Sequence, residues 1–209
     1  MVRNHWVRFA TPGQTKRFTQ TIANAIIRCL DLALDCDHVL LISSGTVFIK
    51  EYIVPKEPTI AIETHEDEFP PCSSHEHLNA IPIDNPISSW IYPAIMRDAC
   101  FKRAILNRGY THYKGAQWSG QLWRIEVANR LLQDRPFWLN AQPCGYQCEE
   151  IYFSTYAYAY AIDQNIPLYK SVVTINWKHQ YEYTTNEIFP NAVAICKVAD
   201  SHAIREMSK

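Results

Sequence analysis

From about Thr15 to Leu34 the apolar residues Phe18, Ile22, Ala25, Ile26, Cys29, Leu32 and Ala33 return every three or four positions. The next hydrophobic stretch, His38-Val39-Leu40-Leu41-Ile42, runs without alternation. The first pattern is one face of an amphipathic helix. The second is a short run of the kind buried in a parallel sheet. Asp35-Cys36-Asp37 ends the helix between them. A helix feeding directly into such a strand points to a doubly wound α/β arrangement.

The rest of the chain extends this reading. Val2 to Phe9 alternates as a short strand and is followed by a turn at Thr11-Pro12-Gly13. Thr59-Ile60-Ala61-Ile62-Glu63, Val172 to Trp177 and Ala192 to Cys196 are predicted strands. Arg97 to Leu106, Leu122 to Leu132 and Glu149 to Ile162 are predicted helices; in the second, Ile125, Ala128, Leu131 and Leu132 share one side. Thr64 to Pro93, rich in His, Pro, Asp and Ser, has no periodicity and is expected to be a long loop. No internal repeat or linker divides the chain, so a single domain over residues 1–209 is expected.

Composition excludes several classes. The 7 Cys are odd in number and irregularly spaced, which implies no disulfide framework and suggests a reducing, cytoplasmic setting. The N-terminus lacks the apolar core of a signal peptide, and no apolar run reaches membrane-spanning length. With a formal net charge of -1, neither nucleic acid nor an anionic membrane is an expected partner. Cys72, His75 and His77 share the long loop, but their spacing matches no standard zinc pattern, and no metal site or cofactor is assigned. The 6 Trp and 12 Tyr suit stacking against flat ligands or sugar faces, and equally suit an aromatic core.

Two segments carry candidate chemistry. Ser43-Ser44-Gly45-Thr46 follows the apolar run at 38–42, and open α/β sheets bind ligands beyond the carboxyl ends of their strands. A plain strand-to-loop turn explains the same residues. Glu149 and Glu150 are adjacent at the start of a predicted helix, after the turn-rich Asn140-Ala141-Gln142-Pro143-Cys144-Gly145. They complement the positive end of the helix dipole, or else, as two crowded carboxylates, supply one with the raised pKa of a general base.

Four segments in order then form a constellation. They are Leu41 to Lys50, Lys114-Gly115-Ala116-Gln117-Trp118, Cys148-Glu149-Glu150 with Thr155 five residues beyond, and Ala194-Ile195-Cys196-Lys197. Together they resemble the core-2/I-branching β-1,6-N-acetylglucosaminyltransferases and their bacterial and viral relatives. Those relatives carry an apolar strand with a Ser/Cys-Gly-type loop, a Gly-Ser-Gln-Trp-like loop, a Pro-Asp-Glu triplet opening a helix, and a Phe-Ala-x-Lys-like segment. The triplet here reads Cys-Glu-Glu. The resemblance runs from the first helix to about Lys197. It implies a GT-A-like (Rossmann-like) mixed sheet flanked by helices. The family has a further strand-helix-strand unit before the point where this chain begins, so part of the usual nucleotide-binding unit is expected to be missing.

The resemblance also implies an activity: metal-independent, inverting transfer of a sugar from a nucleotide-sugar donor, a UDP-sugar first, to a glycan acceptor. No Asp-x-Asp motif follows the central strand, where Ser44, Gly45 and Thr46 stand as donor- or acceptor-binding candidates. Glu150 matches the catalytic base, and Glu149 stands beside it as an acceptor contact. Gln117 and Trp118 would meet a sugar ring. Lys197 would face the leaving pyrophosphate, with Lys178 or Arg205 as a second cation. The shortened start leaves a second expectation open, a non-catalytic glycan-binding or assembly subunit derived from such an enzyme.

Overall fold

The computed structural model describes residues 36–42, 46–48, 50–63, 80–84, 99–138, 148–175 and 193–196. The predicted strand at Val2–Phe9 and helix at Thr15–Leu34 lie outside these residues.

The centre of the fold is a helix. α3 (Cys148–Gln164) is buried from Glu150 to Ala161 except at Tyr158, which is half-buried. Burial this complete needs neighbours around the helix, and those it packs on include the ribbon of β4 (Ala80–Pro82) and β5 (His112–Lys114), the strand β3 (Ile60–Glu63) and the helix α2 (Ile125–Trp138). The ribbon pairs β4 (Ala80–Pro82) with β5 (His112–Lys114), antiparallel. It therefore places a strand inside the segment expected to be loop. The Tyr-Ala repeat of α3 serves packing. Tyr152 and Tyr156 stack with Phe101 of α1 (Ala99–Asn107), at ring centroid distances of 4.0 and 6.4 Å, and Tyr113 of β5 joins them at 6.0 Å from Phe101.

On the other side of α3 lies a mixed sheet of four described strands, ordered β1-β6-β3-β7: β1 (His38–Leu40), β6 (Leu122–Arg124), β3 (Ile60–Glu63) and β7 (Leu168–Lys170). β6 runs antiparallel to both neighbours, and β3 and β7 are parallel. Two expectations are corrected here. The run at 38–42 is not a strand buried within a parallel sheet: β1 is half-buried, stands at the edge of the described sheet, and has an antiparallel partner. The predicted helix at Leu122 begins only at Ile125. Leu122 and Trp123 are fully buried and pair into the sheet, and α2 then runs from Ile125 to Trp138. The Ile125 N–H is held by the Asp37 carbonyl at 3.0 Å, and Arg124 forks onto the first-turn carboxylate of Glu126 at 2.8 and 3.1 Å.

A second sheet of three strands has the order β2-β9-β8, with β2 (Val47–Phe48) antiparallel to β9 (Ala194–Cys196) and β9 parallel to β8 (Val173–Ile175). Gly120 joins the two sheets. Its N–H donates to the Leu41 carbonyl and its carbonyl accepts from Val172 N–H, at 2.6 and 2.8 Å. Leu41 N–H returns to the Gln121 carbonyl at 2.9 Å. The resulting architecture is mixed α/β, with sheet and helices as expected at that level.

The three described helices are tied by polar groups, with Asp134 and Tyr156 buried and Arg108 and Arg130 half-buried. Asp134 of α2 accepts from Arg108, just past α1, and from the Tyr156 phenol of α3. Arg130 of α2 reaches Tyr110 and Asp163, both at 2.8 Å, and lies 4.7 Å over the Tyr160 ring.

Candidate functional site

The segment 114–118 leaves β5 and crosses the first turns of α3. Three α3 residues hold it. Thr155 Oγ1 accepts from Lys114 N–H at 3.0 Å and donates weakly to the Lys114 carbonyl at 3.4 Å. The Glu150 carbonyl accepts from Ala116 N–H at 3.2 Å. Ser154 Oγ, one turn beyond Glu150, donates to the Ala116 carbonyl at 3.4 Å. Residues 150 and 154 share one helix face, since four residues are slightly more than one turn, and Thr155 stands one further step of about 100° round the axis. The spacing of Thr155 from Glu150 thus has a structural cause: the threonine fixes the strand end that the glutamate's own carbonyl continues.

Gln121 closes the arrangement. Its amide is fully buried, donates to Ser154 Oγ at 2.7 Å and to the Gln117 carbonyl at 2.8 Å, and accepts from the Trp123 indole at 2.9 Å. A buried amide with its donors and acceptor engaged is a rigid strut. It holds the backbone of Gln117 against α3 from the side opposite Lys114.

Glu150 itself is 7% exposed, on the third residue of α3. Glu149 precedes it in the same turn. Gln117 and Trp118 are half-buried at the surface of the core, Trp118 packed against the main cluster. Thr46 is half-buried just before β2. Ser44, Gly45, Lys178, Lys197 and Arg205 lie outside the described residues, as do Cys72, His75 and His77. Among the described residues, no group of three His, Cys, Asp or Glu is placed to hold a metal ion, and no helix is long and apolar enough to cross a membrane.

The four segments singled out in the sequence are connected. The first and fourth pair as β2 and β9, with Val47 opposite Ile195 and Phe48 opposite Ala194, and Lys50 N–H bonds the Val193 carbonyl at 3.1 Å. The first meets the loop beyond the second through Leu41, Gly120 and Gln121. The second lies on the third, as described above. One continuous hydrogen-bonded path therefore links stretches that are far apart in the chain.

A charged cluster beside this path was not foreseen. Lys114 is 3% exposed, and its Nζ donates to Glu63 Oε2 at 3.2 Å; Glu63 is 28% exposed. Burial pushes the Lys114 amine below its ordinary pKa; the Glu63 carboxylate counteracts this in part and the Lys170 charge adds to it. Glu63 and Lys170 are register partners at the carboxyl ends of the parallel strands β3 and β7. Lys114 and Glu63 both stand within segments noted in the sequence, but a lone lysine ordinarily reads as solvated surface and a strand-end glutamate as a boundary.

Comparison with family models, with curated proteins and with solved structures finds no match to this chain.

Proposed function

We propose that this chain is a metal-independent inverting glycosyltransferase, moving a sugar from a nucleotide-sugar donor, a UDP-sugar first, to a hydroxyl of a glycan acceptor. The observation that carries the reading is the stitching of segment 114–118 onto the first turns of α3, through Thr155, Ser154 and the Glu150 carbonyl. It sets a half-buried indole and amide on the loop whose backbone is bonded at Glu150, the carboxylate-bearing position of the resemblance. The fold this reading requires is GT-A-like, within the mixed α/β architecture described.

In the proposed reaction the acceptor oxygen attacks the anomeric carbon from the face opposite the diphosphate. The C1–O bond to the diphosphate breaks as the new C1–O bond forms, so the configuration inverts. Glu150 takes the hydroxyl proton. The nucleoside diphosphate leaves with its charge, which Lys197 and a second cation, Lys178 or Arg205, stabilise. Trp118 offers an apolar face to a sugar ring, with Gln117 hydrogen-bonding beside it. Ser44, Gly45 and Thr46 border the donor, and Glu149 an acceptor hydroxyl.

A donor screen read by product mass spectrometry, with chelator present, tests this. Product is expected from the wild-type chain in chelator. Glu150→Gln should lower turnover by about 10²–10⁴-fold, the usual worth of a general base, with the melting temperature unchanged. Wild-type turnover in that variant removes Glu150 from the role. Oligosaccharide binding without heat from any nucleotide sugar replaces the enzyme with a glycan-binding subunit.

A further inference from the structure

We propose, resting on the transfer reading above, that Lys114 is a positioning residue for the site: its ammonium, seated on Glu63, holds segment 114–118 against the start of α3. Lys114 is the point at which the segment is anchored twice. Its peptide N–H is held by Thr155 of α3, and its side chain crosses to Glu63 at the end of β3. Two residues on, Ala116 is bonded to Glu150. Removal of the side-chain anchor leaves the segment tied to α3 and to Gln121 but no longer to β3.

Stability does not explain the charge. An ammonium this deeply buried carries a desolvation penalty, and apolar residues commonly join two strands at least as well as such a pair. The linkage sign agrees. A lysine whose folded pKa lies below its unfolded value binds fewer protons when folded, so stability rises as pH climbs between the two. Burial thus disfavours the charged form of Lys114, and the lysine stands paired with Glu63 beside the proposed site. Glu63 on β3 and Lys170 on β7 act on it directly. α3, packed on β5, carries Glu150, Tyr152 and Tyr156, of which Tyr156 bonds Asp134 of α2 and Tyr152 stacks on Phe101 of α1; β4 brings no titratable group, and β5 itself carries His112 and Tyr113.

The test compares the full chain with Lys114→Met and Lys114→Arg, reading amide hydrogen exchange of residues 115–118 (corrected for intrinsic rate) and transfer kinetics as functions of pH. Lys114→Met is expected to speed exchange in that segment and to lower kcat/KM by about 100-fold, the cost of misplacing a site by an ångström. Lys114→Arg should restore most of both. The wild-type alkaline limb of kcat/KM should fall while wild-type stability relative to Lys114→Met rises; in Lys114→Arg the limb should move to higher pH. A merely structural pair would lose stability and transfer together. Unchanged exchange in Lys114→Met, or an alkaline limb that Lys114→Arg does not move, overturns the proposal. If Lys114→Met does not fold, the arginine variant and the wild-type limb decide. If no donor is transferred by the wild type, the transfer reading fails by itself, and segment exchange in the variants alone decides whether Lys114 is an anchor.

Discussion

At Gly120 two sheets and a loop meet where no side chain fits. The residue has φ +95°, and an added Cβ would stand 2.6 Å from both the Cβ and the backbone nitrogen of Val173. The neighbour is strand backbone and cannot swing aside. Gly120→Ala should therefore cost about 2–5 kcal/mol, combining left-handed strain with overpacking, read as a lower denaturation midpoint. At this scale the candidate site was half legible. Glu150, Gln117 and Trp118 were singled out through motif order, and Thr155 through its spacing. Gln121 was missed because a polar residue that becomes a core strut carries no periodic signal; only its place between Gly120 and the apolar Leu122-Trp123 pair hints at burial. Lys114 was quoted without a role because only the tertiary fold brings Glu63 to it.

α1 and α3 end in the same device with different residues. After α1, Tyr110 N–H bonds the Ile105 carbonyl and Gly109 N–H the Leu106 carbonyl, with Gly109 at φ 77°. After α3, Ile166 N–H bonds the Ala161 carbonyl and Asn165 N–H the Ile162 carbonyl, with Asn165 at φ 52°. Both are Schellman caps. Asn165 is exposed, so its contribution is backbone conformation. Asn165→Ala should destabilise by about 1–2 kcal/mol, the left-handed penalty of an L-residue, and Asn165→Gly should not; thermal melts of the two variants check this. Neither Gly109 nor Asn165 entered the predicted helices Arg97–Leu106 and Glu149–Ile162, which nonetheless lie close to α1 and α3. β3, β8 and β9 were legible as apolar β-branched runs. β4, β5, β6 and β7 were not. β8 and β9 are as short but lie in longer apolar runs, whereas β4 ends in Pro82, β5 and β7 mix His, Lys and Tyr with apolar residues, and Leu122-Trp123 preceding Ile125 blends into the helical pattern that follows.

At the scale of the molecule, the three described helices are locked through phenols that resist ionisation. Burial pushes Tyr156 far above the ordinary phenol value, with its hydrogen bond to Asp134 adding to the shift, and burial likewise raises Tyr110 and Tyr160. A folded pKa above the unfolded one gives stability that is complete below the unfolded value and is lost as pH rises past it. The chain should therefore lose stability above about pH 10, where unfolded phenols ionise. Tyr156→Phe should cost about 1–3 kcal/mol at neutral pH through the lost hydrogen bond to a buried carboxylate. Its deficit should narrow in alkali, since the variant has one phenol fewer to ionise; urea midpoints across pH give the comparison.

Among the four described strands of the first sheet, no two neighbours follow one another along the chain. No pair can zip up as a hairpin, and each must wait for a long loop to close, which slows folding. β6, which lies between β1 and β3, is made after both. During synthesis two apolar strands thus leave the ribosome before the strand that separates and covers them exists. A nascent chain of this design spends that interval exposed to its own neighbours, and a holding chaperone has a defined period in which to act.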